Sequence, residues 1–192
     1  MKLILSSCDF TNPNPRKAIY DNLNKPIQEC KVLFFPNEKA TKEKIVSGKY
    51  HKRLSEYGFL SKNIYVFNYF ESGDFDYNDV DIIYVGGGNT FETLNLIRKS
   101  NMDKFIIERV KKGTIYIGGS ASAHIVSQDI EHVSRYDENK SNIINFDGLK
   151  LFDGIFICHY NKDRENHYKS LLMENKYEVY AMTDEEFIVV NK

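Results

Sequence analysis

Short apolar runs alternate with longer amphipathic stretches along the whole chain. Six of these runs are rich in Val, Ile, Phe and Tyr, and they cover residues 3–5, 32–35, 64–67, 82–85, 114–117 and 155–158. Several are apolar at successive positions, which is typical of strands that are buried on both faces in a parallel sheet. Two further strands are predicted near the end of the chain, at residues 179–182 and 187–190.

Segments with helical character lie between the predicted strands. They cover residues 15–23, 41–57, 89–97, 103–112, 121–126 and 164–173. The polar stretch 129–147 is predicted to be a loop or a hairpin outside this alternation. Strand and helix in turn indicate an α/β fold, a three-layer α/β/α sandwich with a mostly parallel sheet, and we expect a single domain over residues 1–192.

Composition narrows the class of protein. The 26 basic and 27 acidic side chains nearly balance, which argues against a general binder of nucleic acid or membrane surfaces. An apolar content of 42% is enough for a sizeable core, and no apolar run approaches the roughly 18 residues of a membrane span. Three cysteines are too few for a disulfide framework, which favours a reducing, cytoplasmic compartment.

Candidate functional residues follow three of the predicted strands. In open α/β sheets, functional groups gather beyond the carboxyl ends of the strands. The fourth strand is followed by three glycines at 86–88, the fifth by residues 118–123 (GGSASA), and the sixth ends at His159. We therefore expect these three segments to meet at one edge of the sheet.

The segment around Ser120 has the context of a nucleophile elbow, a sharp turn between a strand and a helix. Strand and helix pass close together there, so the residues two before and two after the nucleophile must be small, as Gly118 and Ser122 are. The helix N-terminus would favour a developing oxyanion near the serine. The alternative interpretation is a turn in which Ser120 only caps the helix.

The triple glycine is suited to holding an anion or an oxyanion, because its unshielded N–H groups precede a helix. Two nucleotide-binding motifs can be compared with it. A dinucleotide fingerprint fails because Phe91 occupies the last glycine position, and the sequence GKY at 48–50 does not complete a P-loop. A nucleotide-binding module is therefore a weaker hypothesis, and no cofactor is expected.

His159 is the candidate base, since strand-end loops converge in this architecture and a base must reach the serine hydroxyl. The other histidines, His51, His124, His132 and His167, are expected in packing or surface roles, because none completes a metal-ligand spacing. No metal site is predicted. Cys158 precedes His159 and should point to the opposite face, into the core.

Two segments then show a resemblance. Residues 84–91 (YVGGGNTF) and 116–123 (YIGGSASA), followed by a strand that ends at His159, resemble the dipeptidase E (aspartyl dipeptidase) and cyanophycinase family of serine peptidases. The resemblance extends over nearly the whole chain, from Leu3 to about Val190. It implies a fold similar to the class I glutamine amidotransferases, with serine in place of their elbow cysteine.

The resemblance also implies roles for individual residues. Ser120 would be the nucleophile and His159 the base, and the N–H groups of Gly88 and Ala121 would form the oxyanion hole. Two residues are candidates for the third member of the triad. We favour Asp184 because it lies at a strand end, and the alternative is Asp137 in the polar stretch 129–147.

Two further residues are candidates for substrate binding. The resemblance assigns this role to Asn89 and to Arg164, where the family has an arginine that pairs with the aspartate side chain of the substrate. Two positions depart from the family pattern: Ser122 replaces the usual glycine, and Gly119 replaces a bulkier residue.

The expected function is that of a hydrolase similar to serine peptidases, an exopeptidase that cleaves small peptides with an N-terminal aspartate through an acyl-enzyme. It should act on its peptide without nucleic acid or membrane partners, as a monomer or homodimer. The alternatives are a hydrolase of another small amide and a non-catalytic binding or regulatory domain that keeps the same fold.

Overall fold

The computed structural model describes residues 1–71 and 76–192, and its strands and helices alternate along the chain. The strands are β1 Lys2–Ser6, β2 Val32–Phe35, β3 Ile64–Val66, β4 Ile82–Val85, β5 Ile115–Gly119, β6 Ile155–Ile157, β7 Val179–Ala181 and β8 Phe187–Asn191. The α-helices are α1 Pro13–Asp21, α2 Lys42–Val46, α3 Lys49–Glu56, α4 Thr90–Lys99, α5 Met102–Lys111, α6 Ala121–Ile125 and α7 Glu165–Glu174. None of these helices has both the length and the apolar character needed to cross a membrane.

Six strands form the central sheet in the order β3-β2-β4-β5-β1-β8. All neighbouring strands in it are parallel except β8, which runs antiparallel to β1 at one edge. Leu5 of β1 and Val85 of β4 both pair with Gly118 of β5, so the carboxyl ends of these three strands lie side by side. The remaining strands, β6 and β7, pair with each other in a separate parallel sheet of two strands.

Helices cover both faces of the central sheet, which confirms the predicted three-layer α/β fold with a mostly parallel sheet. Alternate residues of the strands point to opposite sides, so β2 and β4 are buried along their whole length. One core packs α1 to α3 against residues such as Phe34 and Tyr84, and the other packs α4 to α6 against residues such as Phe35 and Tyr116.

The segment predicted as one long helix, 41–57, forms two helices instead. Thr41 caps α2 by accepting a hydrogen bond from the Lys44 amide, and α2 ends after one turn. Gly48 then adopts a left-handed conformation with φ of +74° before α3 begins. Glycine adopts this conformation without the steric cost that other residues pay, which makes it the usual residue just beyond a helix end.

The polar stretch 129–147 is an excursion that returns to the sheet edge. Its two ends, Asp129 and Asp147, form an isolated antiparallel bridge. Its middle lies over the start of α4, where Ser141 donates hydrogen bonds from its amide and its hydroxyl to the Glu92 carboxylate. The excursion therefore belongs to the same edge as the triple glycine.

Three histidines pack in a row below that edge. The rings of His124 and His132 lie 5.8 Å apart, and those of His132 and His167 lie 5.5 Å apart. Burial lowers the pKa of His132 to about 4, helped by the nearby His167 and opposed by Asp129. Burial also holds the pKa of His124 well below its usual range. These side chains are neutral packing groups at neutral pH, as expected for them.

Because the pKa of these histidines is lowered in the folded protein, we expect acid to destabilise the fold. A histidine whose pKa is about 4 when folded and 6.5 when unfolded binds more protons in the unfolded state between those values. The free energy of unfolding should therefore fall as the pH decreases from about 6.5 towards 4, by on the order of 2 kcal/mol for His132. Urea unfolding across this range should give a shallower pH dependence for His132→Phe. An unchanged slope in that variant would show that His132 is not the group responsible.

Candidate active site

Ser120 lies in a sharp turn between β5 and α6. Its backbone has φ of 56° and ψ of −118°, a conformation that residues other than glycine adopt at a steric cost. The Ser120 amide donates a hydrogen bond to the Ser6 carbonyl at 3.0 Å, which ties the turn to the end of β1. The Ser120 side chain makes no capping hydrogen bond to α6, so the capping interpretation does not describe this turn.

The residues around the turn are small because its walls are close. A Cβ atom on Gly118 would lie 2.9 Å from the Ser122 carbonyl oxygen, and one on Gly119 would lie 2.8 Å from the Asp9 Cβ. Ser122 is buried, and its hydroxyl accepts from the Gly119 amide at 2.8 Å and donates to the Gly119 carbonyl at 2.9 Å. Both departures from the family pattern therefore have a structural reason. Asp9 occupies the space beside Gly119, and the Ser122 hydroxyl braces the turn.

His159 faces Ser120 from the loop after β6. Its Nε2 lies 2.8 Å from the Ser120 Oγ. The His159 backbone is also left-handed, with φ of 53°, and its amide donates to the Ser7 hydroxyl at 3.0 Å. That hydroxyl in turn donates to the Met182 carbonyl at 2.8 Å. Ser7 thus fixes the main chain of His159 relative to β1 and to the end of β7.

Asp184 stands on the other side of the imidazole. Its Oδ1 lies 2.6 Å from His159 Nδ1. Partial burial raises the pKa of Asp184, but hydrogen bonds from His159 and Cys8 outweigh this and leave the pKa below its usual range. An ionised carboxylate there favours a proton on Nδ1, which makes Nε2 the nitrogen that can accept the serine proton.

Asp137, the alternative acid, lies elsewhere. Its Oδ2 accepts a hydrogen bond from the Thr90 amide at 2.7 Å, at the N-terminus of α4. A second carboxylate, Glu38, accepts from the Asn89 amide at 3.0 Å. Both acids satisfy amides that a helix N-terminus leaves without an internal partner. The structure brings Asp184, not Asp137, to His159.

The triple glycine runs beside the serine turn. A Cβ on Gly87 would lie 3.1 Å from the Gly119 carbonyl oxygen and 3.7 Å from the Ser120 Cβ, so the two segments are in contact. Within residues 1–71 and 76–192, the amides of Gly88 and Ala121 have no hydrogen-bond acceptor. These two amides are therefore not committed to acceptors within the described part of the chain.

Asn89, which is predicted to bind substrate, also has a structural task at the start of α4. It is the N-cap of α4: its side-chain oxygen accepts from the Glu92 amide at 3.0 Å. The side-chain nitrogen donates to the Glu138 carbonyl at 2.9 Å. Through these two bonds Asn89 holds the polar stretch 129–147 against α4, and its role in substrate binding stays a prediction.

Arg164 lies between the histidine row and the loop that carries His159. Its guanidinium carbon stands 3.8 Å above the centre of the Tyr136 ring, and Nη1 donates to the Cys158 carbonyl. No carboxylate in the described part of the chain forms an ion pair with it. The Tyr136 hydroxyl, in turn, is hydrogen-bonded to His167. Arg164 is thus a cation near His159 that lacks an anionic partner.

Three residues at this edge were missed by the sequence analysis, and all of them follow β1. Ser7 holds His159, as described above. The Cys8 sulfur lies within 4.8 Å of an Asp184 oxygen, and burial together with that carboxylate raises the pKa of the Cys8 thiol to about 11. Asp9 is buried, accepts from the Tyr84 hydroxyl at 2.9 Å, and has its pKa raised by that burial. The signal was available, since β1 also ends at this edge of a parallel sheet.

The chain is similar to known peptidases. The family model of Peptidase family S51 matches residues 3–192. An uncharacterized peptidase of Listeria monocytogenes is 42% identical over 83 residues, which is 42% of this chain and 40% of the relative. Peptidase E of Salmonella typhi is 32% identical over 102 residues, which is 48% of this chain and 44% of the relative. The matched part spans less than half the length of either relative.

A solved structure matches over the full length. A crystal structure of a Peptidase E candidate from Listeria monocytogenes superimposes with a TM-score of 0.72 at 26% sequence identity. The match covers 100% of this chain and 98% of that one. The order of strands and helices is therefore shared over the whole of both chains.

Proposed function

Because the chain belongs to peptidase family S51, we propose that it is a serine peptidase that hydrolyses small peptides through an acyl-enzyme. Ser120 is the nucleophile, His159 the general base and Asp184 the acid that orients the imidazole. The observation that carries this proposal is the continuous chain of contacts, 2.8 Å from Ser120 Oγ to His159 Nε2 and 2.6 Å from His159 Nδ1 to Asp184 Oδ1. The turn at Ser120 then acts as a nucleophile elbow.

The same residues act in both steps of the reaction, the acylation of Ser120 and the hydrolysis of the acyl-enzyme. His159 Nε2 takes the Ser120 proton while Oγ attacks the peptide carbonyl, and Asp184 stabilises the imidazolium that forms. The amides of Gly88 and Ala121 donate to the oxyanion, and the α6 N-terminus adds its dipole. His159 returns the proton to the leaving amine, which departs and leaves the acyl group on Ser120. A water molecule, deprotonated by His159, then hydrolyses this ester.

Replacing the nucleophile should abolish turnover. For Ser120→Ala we expect a loss in kcat of at least about 10³-fold, because no other hydroxyl contacts His159 Nε2 in the described residues. Hydrolysis of a panel of dipeptides, followed by release of free amino acid, measures this. A fluorophosphonate probe should label the unmodified protein at Ser120.

Two controls make that result interpretable. Ser55→Ala removes an exposed serine on α3 and should keep both turnover and labelling. Thermal unfolding of Ser120→Ala should be close to that of the unmodified protein, since the change removes one half-buried hydroxyl and leaves the backbone bonds of the turn in place. If Ser120→Ala turns over peptides normally, or the unmodified protein resists the probe under conditions that label a known serine hydrolase, the serine mechanism is wrong. A binding or regulatory role would then be favoured.

The two candidate acids can be separated by matched substitutions. Asp184→Asn removes the charge that faces His159 Nδ1 and should lower kcat by about 10²- to 10³-fold. Asp137→Asn removes a charge at the N-terminus of α4, so its loss in kcat should be smaller, with a stability cost of about 0.5–1 kcal/mol. Steady-state kinetics and urea unfolding of both variants test this. A larger kcat loss for Asp137→Asn would reverse the assignment.

We further propose that the substrate carries an N-terminal aspartate that pairs with Arg164. Arg164 is half-buried, lacks an ion-pair partner among the described residues, and has its guanidinium carbon 3.8 Å from the centre of the Tyr136 ring. A planar guanidinium suits two parallel hydrogen bonds to a carboxylate. One edge is occupied by the Cys158 carbonyl, and the remaining N–H groups are available to the substrate.

This specificity should appear as a difference between substrates. The unmodified protein should have a kcat/KM about 10²-fold higher for Asp-X than for Asn-X or Ala-X dipeptides, because only the carboxylate can pair with the guanidinium. Arg164→Gln should lower kcat/KM for Asp-X by a similar factor and change that for Ala-X only a few-fold. Arg135→Gln is the matched control, because Arg135 is an exposed arginine in the polar stretch 129–147. Equal hydrolysis of Asp-X and Ala-X by the unmodified protein would exclude this role while leaving the serine mechanism intact.

A further inference from the structure

Three side chains with different metal-binding atoms meet beside the serine. The Sγ of Cys8, a ring nitrogen of His159 and a carboxylate oxygen of Asp184 all lie within 4.8 Å of one another. They come from three separate loops, which follow β1, β6 and β7. The side chains of His159 and Asp184 are about 35% and 51% exposed, so an ion from solvent can reach them.

We propose that Cys8, His159 and Asp184 bind a zinc-like divalent cation, and that its binding switches off the peptidase proposed above. The switching rests on that proposed function, whereas the binding site does not. The donor set of one sulfur, one nitrogen and one oxygen fits Zn²⁺, which accepts thiolate, imidazole and carboxylate ligands. Magnesium and calcium prefer oxygen ligands, so they should bind poorly here.

The geometry needs only a small adjustment. Zinc–ligand distances of about 2.0–2.3 Å place two ligands of a tetrahedral ion roughly 3.5 Å apart. The 2.6 Å between His159 Nδ1 and Asp184 Oδ1 must therefore open by about 1 Å, and separations that approach 4.8 Å must close by about 1 Å. Rotation of the Cys8 and Asp184 side chains can provide both changes. Three protein ligands leave the fourth position to water, as in zinc sites that exchange with solvent.

Binding would remove the base from the reaction. The nitrogen that faces Asp184 is Nδ1, and a cation bound there moves the ring proton to Nε2. An Nε2 that carries a proton can donate to Ser120 Oγ but cannot accept its proton. The Cys8 thiol releases one proton to solvent, so the two charges of the cation are balanced by the thiolate and the Asp184 carboxylate.

Oxidation of Cys8 is an alternative way to regulate this site, and the structure supports it less well than cation binding. Oxidants react with thiolates, and the Cys8 pKa of about 11 keeps the thiol protonated at neutral pH. The other two cysteines, Cys30 and Cys158, are buried and have no place in this cluster. The sulfur, nitrogen and oxygen atoms that lie within 4.8 Å of one another favour ligation of a cation instead, which must displace the thiol proton on binding.

Binding can be tested without any activity. Zinc should bind Ser120→Ala at one ion per chain, measured by competition with a chromophoric chelator. Cys8→Ser in the same background should weaken binding at least about 10-fold. Cys30→Ser is the matched control, since its thiol lies near the Lys25 and Pro26 carbonyls, and it should keep full affinity. No binding by Ser120→Ala, or equal binding by Cys8→Ser, would overturn the site.

A cobalt spectrum identifies the ligand directly, even where a variant binds weakly. Co²⁺ added to Ser120→Ala should give a near-ultraviolet charge-transfer band from a thiolate ligand. The band should persist in Cys30→Ser and vanish in Cys8→Ser, with circular dichroism showing that both variants are folded. A band that survives in Cys8→Ser would assign the thiolate to another cysteine and exclude the proposal.

The switch is tested on the unmodified protein. Zinc should inhibit hydrolysis of its best dipeptide, and a chelator should restore the rate. In Cys8→Ser, normalised to its own rate without zinc, at least about 10-fold more zinc should be needed. Full activity with zinc bound at Cys8 would exclude the switch. If no peptide is hydrolysed at all, the proposed function fails, while the chelator and cobalt measurements on Ser120→Ala still decide the site.

Discussion

The close passage of β5 past α6 is the constraint on which the rest of the candidate site depends. Only a residue with a left-handed backbone connects these elements so tightly, and Ser120 holds that conformation with φ of 56°. The walls of the turn leave no space for side chains at Gly118 or Gly119. Because Asp9 lies against Gly119, the loop after β1 is fixed by the same contact. The neighbouring loops are thus positioned by one tight crossing.

Strained backbone at this edge is compensated by the surrounding structure. Asp9, Ser120 and His159 all have positive φ without being glycine, at a cost of on the order of 1–3 kcal/mol each. Ser120 is tied to β1 through the Ser6 carbonyl, and His159 is tied through Ser7. The Tyr84 hydroxyl holds the buried Asp9 carboxylate. Two apolar cores, one on each face of the sheet, supply the rigidity that keeps these bonds in place.

The layered fold could be predicted because it is encoded locally. Runs such as 82–85 are apolar at every position, and this pattern alone identifies strands buried on both faces. The break at Gly48 was missed because the amphipathic pattern continues across it, although a glycine within such a pattern is a usual signal of a helix end. The tasks of Asn89 and Asp137 depend on an excursion that returns to α4 from about 50 residues further along the chain. Cys8 and Ser7 were missed for a related reason, since their partners, Asp184 and Met182, are more than 170 residues away in sequence.

The buried histidines bear on the chemistry as well as on the fold. During attack on a carbonyl, His159 must accept a positive charge, which nearby cations disfavour and a nearby carboxylate favours. Arg164 is one such cation, and three protonated histidines beneath it would add to the penalty. Burial keeps the pKa of His124 well below its usual range, with smaller contributions from His132 and Arg164, so the row stays neutral when the imidazole becomes charged. In the proposed reaction, Asp184 provides the compensating charge on the Nδ1 side, and Arg164 pairs with an anionic group of the substrate.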